Sequence, residues 1–374
     1  MPCCGGKVDP ADNGGKGGGA ASGKNIDAEL REAGHREKLN LKLLLLGSGE
    51  SGKSTVLKQI KLINKIQMTA QEIQDIAKSL RKNGLECIII LVNQAATFGY
   101  PLDGEDIKSA ASQIGALDLE DFEDEVEHAL VDATVALWKH DSIQKTIARR
   151  SEFWILEAVD YYMENFPRFA EDDFEPSEED CIMARTMTVG ILQTEVPVPP
   201  LQVTLVDVGG QRNERRKWVH MFDNVSGILF LSNLAGYNSV LFEDPTENRM
   251  KECLTLFQQT VNNPMFAKTP FYLIFNKKDL FESKIRKDPI TVCPCFVDYS
   301  GTSEDVTPVL KFIEDKFRSV ITSGDPNRLM VFNIAARFKR DVKHTWEDII
   351  ASMKTRNRTE INGALKALGK EQMS

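Results

Sequence analysis

The chain of 374 residues lacks much of what a secreted, membrane-spanning or nucleic-acid-binding protein shows. It has no run of about 18 apolar residues and no apolar stretch behind its first methionine, so neither a spanning helix nor a secretory signal is expected. Seven cysteines, an odd number spread over a long chain, argue against a disulfide framework and for the cell interior. Cys293 and Cys295 stand too close together, with no second Cys or His pair nearby, to form a zinc site, and are expected to be structural. Without a secretory route the glycosylation patterns at Asn224 and Asn357 are discarded. An excess of positive charge is missing too: the net charge of -9 opposes nonspecific attraction to nucleic acid. Global disorder is excluded, because 42% hydrophobic and 27% charged residues are ordinary for a globular protein, and the length allows two domains.

What is present begins with residues 47 to 54, Gly-Ser-Gly-Glu-Ser-Gly-Lys-Ser, set between the apolar run Leu43 to Leu46 and a helix-forming segment from Thr55 to Ile60. Glycines let backbone N–H groups approach phosphates, Lys53 reaches the terminal phosphates, and the Ser54 hydroxyl can ligate Mg²⁺. The helix N-terminus adds favourable partial charge. Glu50, Ser51, Gly52, Lys53, Ser54 and Thr55 are therefore candidate contacts to a nucleoside triphosphate, in an ATPase, a small-molecule kinase or a GTPase.

The chain then alternates strand and helix, with a helix over Lys53 to Ile66 and strands at Val203 to Val206, Gly227 to Leu231 and Phe271 to Phe275. Unalternated apolar runs of this kind fit a parallel sheet buried on both faces. Between about Ile66 and Asp180 the periods become helical. Phe122, Val126, Ala129, Ala133 and Leu137 fall on one helical face, and Phe153, Leu156, Val159, Tyr162 and Phe166 on another. The expected fold class is α/β: residues 1–40 form a Gly-rich arm and short helix, 41–66 and 183–374 a P-loop domain, and 67–182 an inserted all-helical domain.

Two further motifs narrow the ligand. Asp207-Val208-Gly209-Gly210 follows a strand, where a carboxylate can reach Mg²⁺ and a backbone N–H can sense the γ-phosphate. Asn276-Lys277-Lys278-Asp279 follows another, and a carboxylate there can accept both the N1–H and the exocyclic amine of guanine, a donor pair that adenine lacks. These motifs, with Lys42 to Thr55, Asp207 to Trp218 and Phe275 to Asp279 read as whole segments, closely resemble the α subunits of heterotrimeric G proteins from about Ile26 onward. The resemblance implies a Ras-like GTPase domain interrupted by a helical domain, GTP and GDP as ligands, and Mg²⁺ held by Ser54, Thr188 and, through water, Asp207. It implies that Gln211 orients the attacking water and that Arg185 serves as an internal arginine finger. Gly210, Asn276, Lys277, Asp279 and Ala335 complete the implied nucleotide contacts. Implied partners are a βγ dimer at Arg212 to Trp218, where cations flank an exposed aromatic, a seven-helix membrane receptor and an effector. Loss of the γ-phosphate is expected to free the segments around Arg185 to Gly190 and Gly210 to Trp218.

Some positions depart from the family. Met183 stands where an arginine usually contacts the nucleotide, and Val189 follows Thr188 in place of Thr or Ser. Glu157 and Ala158 replace the Asp-Ser that the helical domain offers to the nucleotide, so a weaker clamp between the domains is expected. Asn333-Ile334-Ala335-Ala336 replaces a Thr-Cys-Ala-Thr motif, with Ala335 N–H kept for guanine O6, and the tail from Gly363 to Ser374 is atypical. These departures keep open a self-exchanging GTP-dependent binding module without receptor coupling. Cys3 and Cys4, behind Pro2, are candidates for thioacylation, which would place the protein on the cytoplasmic face of the plasma membrane.

Overall fold

The computed structural model describes residues 29–120, 122, 126–302 and 305–373. Cys3 and Cys4 lie outside them. Six strands form one sheet in the order β2-β3-β1-β4-β5-β6. They are β1 (Asn40–Gly47), β2 (Ile191–Val198), β3 (Leu201–Val208), β4 (Gly227–Asn233), β5 (Phe271–Asn276) and β6 (Leu329–Asn333). Every residue of β4 and β5 is buried, as apolar runs covered on both faces must be. The β1–β4, β4–β5 and β5–β6 pairs are parallel.

Register fixes where the loops emerge. Gly47 pairs with Leu231, Asn233 with Asn276 and Phe275 with Asn333, so these parallel strands release their C-terminal loops along one rim. That rim is where open α/β sheets bind ligands. The sheet is mixed rather than wholly parallel, because β2 runs antiparallel to β3 from Ile191↔Val208 to Val198↔Leu201. No strand was expected at β2: as an edge strand it leaves Ile191 and Leu192 exposed and carries Pro197, so its apolar signal is weak.

The helices between Thr69 and Met183 pack around an apolar cluster of their own that includes Leu80, Leu91, Leu137, Tyr162 and Phe166. The cluster beneath the sheet is built from other residues, among them Leu44, Phe230, Phe257, Phe271 and Phe317. The longest helix, Ala70–Thr97, opens on a capping box in which Thr69 and Glu72 satisfy each other's backbone N–H groups. Several helices are shorter than their periodicity suggests. Lys53–Ile63 stops before Ile66 because Lys65 takes a left-handed φ of 55°. His128–Lys139 begins after Phe122 and Val126, and Val159–Phe169 begins after Phe153 and Leu156; Leu156 is nonetheless buried from the preceding turn.

By compactness the chain divides into Leu41–Met353 and a second unit made of Met1–Asn40 with Lys354–Ser374. In the second unit residues 29–37 are helical, and Arg358–Ala367 forms a helix. Its tail folds back, with Met373 N–H donating to Asn362 Oδ1 at 2.9 Å and Asn362 Nδ2 to Met373 O at 3.3 Å.

The helical segment is fastened near its end by Asp180. Its buried carboxylate accepts from Arg168 at 2.7 and 2.9 Å, Tyr161 OH at 2.6 Å, and Ser177 N and Oγ at 2.8 and 2.7 Å. Burial works to raise its pKa, but the hydrogen bonds from Arg168, Tyr161 and Ser177 prevail and hold it well below the usual range. A depressed native pKa contributes stability that is complete above the unfolded value near 4 and disappears as pH falls towards the native one. Asp180→Asn is expected to lower unfolding free energy at pH 7 by about 2 kcal/mol and to flatten its acid limb below about pH 4, measured by urea titrations across pH.

Candidate functional site

The loop after β1 is shaped by backbone that few residues tolerate. Gly52 sits at φ 95° as the N-cap of Lys53–Ile63, and a Cβ there would collide with the Asn276 amide. Glu50 takes φ 60° and Lys277, in the loop after β5, φ 61°. Non-glycine residues held left-handed store strain at sites that need them so placed, and both side chains enter the ion network described below.

A cavity of about 340 Å³ opens above this rim. Fourteen of the residues expected to contact the nucleotide line it: Glu50 to Thr55, Glu157, Arg185, Thr188, Gly210, Gln211, Asn276, Lys277 and Asp279. Tyr161 and Tyr162 of the helical segment form another part of its wall. Asp207 stands behind the lining. Ala335 does not face the cavity: its N–H donates to Asp341 Oδ2 at 3.0 Å, and Ala336 and Arg337 line the wall instead. The N–H expected at guanine O6 is here taken by a carboxylate in the first turn of Lys339–Arg356, a use that the sequence of the loop does not reveal.

Three oxygen groups converge at one end. Ser54 Oγ lies 2.8 Å from Thr188 Oγ1 and donates to Asp207 Oδ2 at 3.0 Å, while Thr188 Oγ1 donates to the same oxygen at 3.3 Å. Asp207 is 1% exposed, its other oxygen, Oδ1, has no hydrogen-bond partner among the described residues, and burial pushes its pKa up. A buried carboxylate with an unused oxygen beside two hydroxyls fits a small hard cation such as Mg²⁺. Lys53 is also buried, its ammonium donating to Gly47 O at 3.1 Å and Ser48 O at 3.0 Å, and burial lowers its pKa to about 8.

A chain of ion pairs crosses the cavity between the helical segment and the sheet. Glu50 pairs with Arg185 at 3.0 Å and with Arg249 at 2.9 Å. Glu157 pairs with Lys277, lies 3.6 Å from Arg249 and accepts from Asn233 Nδ2 at 2.8 Å. The weaker clamp expected from Glu157 is thus corrected: its longer side chain reaches the guanine-motif lysine and the first residue of Arg249–Val261 together. Burial works to raise its pKa, but Lys277 and Arg249 hold it down at about 2.

Arg185 is held at both ends. Its backbone N–H donates to Asn83 Oδ1 at 2.9 Å and its carbonyl accepts from Asn83 Nδ2 at 3.2 Å. Its guanidinium lies 5.2 Å from the centre of the Trp154 ring and 3.9 Å from Glu86. Asn83, Glu86, Trp154 and Arg249 belong to no motif, and sequence spacing carried no signal for them. Gln211 lies against Gly49, its amide turned to the Glu243 carboxylate. Asn276 Nδ2 donates to Ser51 O at 3.0 Å while its Oδ1 takes Lys277 N–H at 2.7 Å and Ala336 N–H at 2.9 Å, so this side chain ties three loops together. Asp279 pairs with Arg337 at 2.7 Å. Trp218, read as an exposed aromatic, is instead 4% exposed and donates to Gly209 O at 2.8 Å; the exposed apolar side chain beside it is Val219.

A phosphate loop, hydroxyls and a carboxylate placed for a cation, and an Asn-Lys-x-Asp loop around one cavity define a P-loop guanine-nucleotide site. Comparison with known proteins agrees. A profile of the G-protein alpha subunit family matches residues 20–353. The chain is similar to the guanine nucleotide-binding protein alpha-8 subunit of Dictyostelium discoideum, 45% identical over 350 residues that cover 93% of this chain and 85% of that protein. It is similar to the guanine nucleotide-binding protein G(o) subunit alpha of Locusta migratoria, 35% identical over 289 residues (76% of this chain, 80% of that one). The same holds for the G(o) subunit alpha of Planorbella trivolvis, at 36% over 282 residues (74% and 78%). The chain belongs to the G-protein alpha subunit family, a family of guanine nucleotide-binding proteins.

Because Glu157 compensates two cations of the sheet side, Glu157→Gln is expected to loosen the segment that carries it. Hydrogen–deuterium exchange of residues 153–160 should rise about tenfold or more while β4 stays protected, measured by mass spectrometry. Unchanged exchange would deny the clamp.

Proposed function

We propose that the chain is a GTP-hydrolysing switch that cycles between GTP- and GDP-bound states and passes signals from a membrane receptor to an effector. The observation that carries this reading is the convergence of Ser54, Thr188 and Asp207 beside a buried Lys53, within one cavity that also holds Arg185 and the guanine motif. Backbone N–H groups of the loop from Glu50 to Thr55, with Lys53, bind the phosphates. Ser54 and Thr188 would hold Mg²⁺ directly and Asp207 through water; the cation, when bound, neutralises charge on the β- and γ-phosphates. Arg185 stabilises charge developing on the transferred phosphoryl group, and Gln211 orients the attacking water. Both now pair with carboxylates, Glu50 and Glu243, so each exchanges that partner to act. Asn276, Lys277 and Asp279 read guanine.

The segment from Arg212 to Trp218 is the proposed contact for a βγ dimer. Exposed Arg212, Arg216 and Val219 support it, and so do exposed Val189 and Leu192 on the neighbouring β2 side. Acylation of Cys3 and Cys4 would hold the protein at the cytoplasmic face of the plasma membrane. The Glu157 ion pairs resist opening of the cleft and so weigh against a self-exchanging module.

The test is single-turnover hydrolysis of bound GTP. In Arg185→Cys and Gln211→Leu the rate is expected to fall on the order of 10³-fold, a magnitude carried over from phosphoryl transfer in this family. Variants that hydrolyse at the wild-type rate would leave a binding module without catalysis.

A further inference from the structure

Trp154 belongs to no nucleotide motif, yet it touches the side chains that govern the mouth of the cavity. Its indole Nε1 donates to Glu50 Oε1 at 3.0 Å, the same oxygen that takes Arg185 Nη2 at 3.0 Å. The Arg185 guanidinium lies over its ring at 5.2 Å. The ring also packs against Phe242, with centroids 4.5 Å apart and planes inclined by 54°.

Phe242 comes from the other side of the cleft, in the stretch between Tyr237 and the helix Arg249–Val261. It is 46% exposed, and its neighbour Glu243 faces the Gln211 amide. A scattered exposed phenylalanine needs no explanation. One that packs at a tilt against a tryptophan from the other side of the cleft is a contact that opening the cleft must break.

We propose that Trp154 is a positioning residue that, fastened by Phe242, holds Arg185 and Glu50 in place and slows the release of bound guanine nucleotide. The inference rests on the nucleotide reading above and adds to it an aromatic pair that no phosphate or guanine motif contains. Three effects act together. The ring face favours the guanidinium, the N–H satisfies a Glu50 oxygen that would otherwise admit water, and the aromatic pair joins the walls of the cleft. Glu50 then keeps Arg185 at the cavity until the guanidinium exchanges that partner to act, and Arg249 anchors the same carboxylate from the sheet side.

The experiment uses the purified full chain loaded with a fluorescent GDP analogue. Release is followed after addition of excess GDP, and single-turnover GTP hydrolysis is measured in parallel. Trp154→Leu is expected to release nucleotide about tenfold faster and to hydrolyse more slowly, since Arg185 loses its ring. Phe242→Ala, on an exposed side chain that does not touch Arg185, should speed release about threefold and leave hydrolysis unchanged. Trp154→Phe, which keeps the ring and loses the N–H, should recover most of the hydrolysis. This split between release and hydrolysis separates positioning from a general loss of stability, which thermal unfolding of each variant reports directly. Release within about twofold of wild type in both Trp154→Leu and Phe242→Ala overturns the proposal. A wild-type chain that retains no labelled GDP would overturn the nucleotide reading itself, and with it this inference.

Discussion

Compensation of charge in a confined cleft is the constraint on which the rest of the structure depends. Lys53, Arg185 and Lys277 bring cations to one cavity and Arg249 stands behind its carboxylates, and Lys53 and Arg249 are more than nine-tenths buried. Buried cations without partners cost several kcal/mol each. Glu50 and Glu157 supply the partners of Arg185, Arg249 and Lys277, one from the phosphate loop and one from the helical segment, while Lys53 is held by the carbonyls of Gly47 and Ser48 with Asp207 nearby. The same electrostatics that prepares the cleft for phosphates therefore ties the helical segment to the sheet.

The sheet makes this arrangement possible. Parallel registers through β1, β4, β5 and β6 bring four loops to one rim, and Asn276 joins the phosphate loop to the loop after β6 through Ser51 and Ala336. The helical segment adds the opposite wall with Glu157, Tyr161 and Tyr162, and its Asn83, Trp154 and Glu157, scattered over a long stretch of chain, hold Arg185, Glu50 and Lys277. Function thus depends on two apolar clusters held in register by a few polar contacts.

Much of this was legible in the residues. The glycine and lysine spacing of the phosphate loop, the Asp-x-x-Gly turn and the Asn-Lys-x-Asp loop each state their chemistry locally, and the structure gathers fourteen of the expected nucleotide contacts around one cavity. The buried central strands were legible because both faces are covered. β2 was not, because an edge strand with exposed Ile191 and Leu192 has no clean period. The fate of Ala335 N–H was hidden because it depends on Asp341, six residues on and in another element. Trp218 misled because a cation-rich helix suggests exposure, whereas its indole turns inward to Gly209 O. Asn83, Trp154 and Arg249 act through tertiary contacts alone, which spacing does not encode.

The measurement that bears most directly on the account is equilibrium competition for the cavity. The purified chain, with Mg²⁺ and a fluorescent GTP analogue bound, is titrated with GTP, GDP and ATP. Displacement by GTP and GDP, with ATP inert even at about a thousandfold excess, is the predicted result, since the proposed reading has Asp279 accept the guanine donor pair that adenine lacks. Displacement by ATP at the concentration effective for GTP would contradict the assignment of the site.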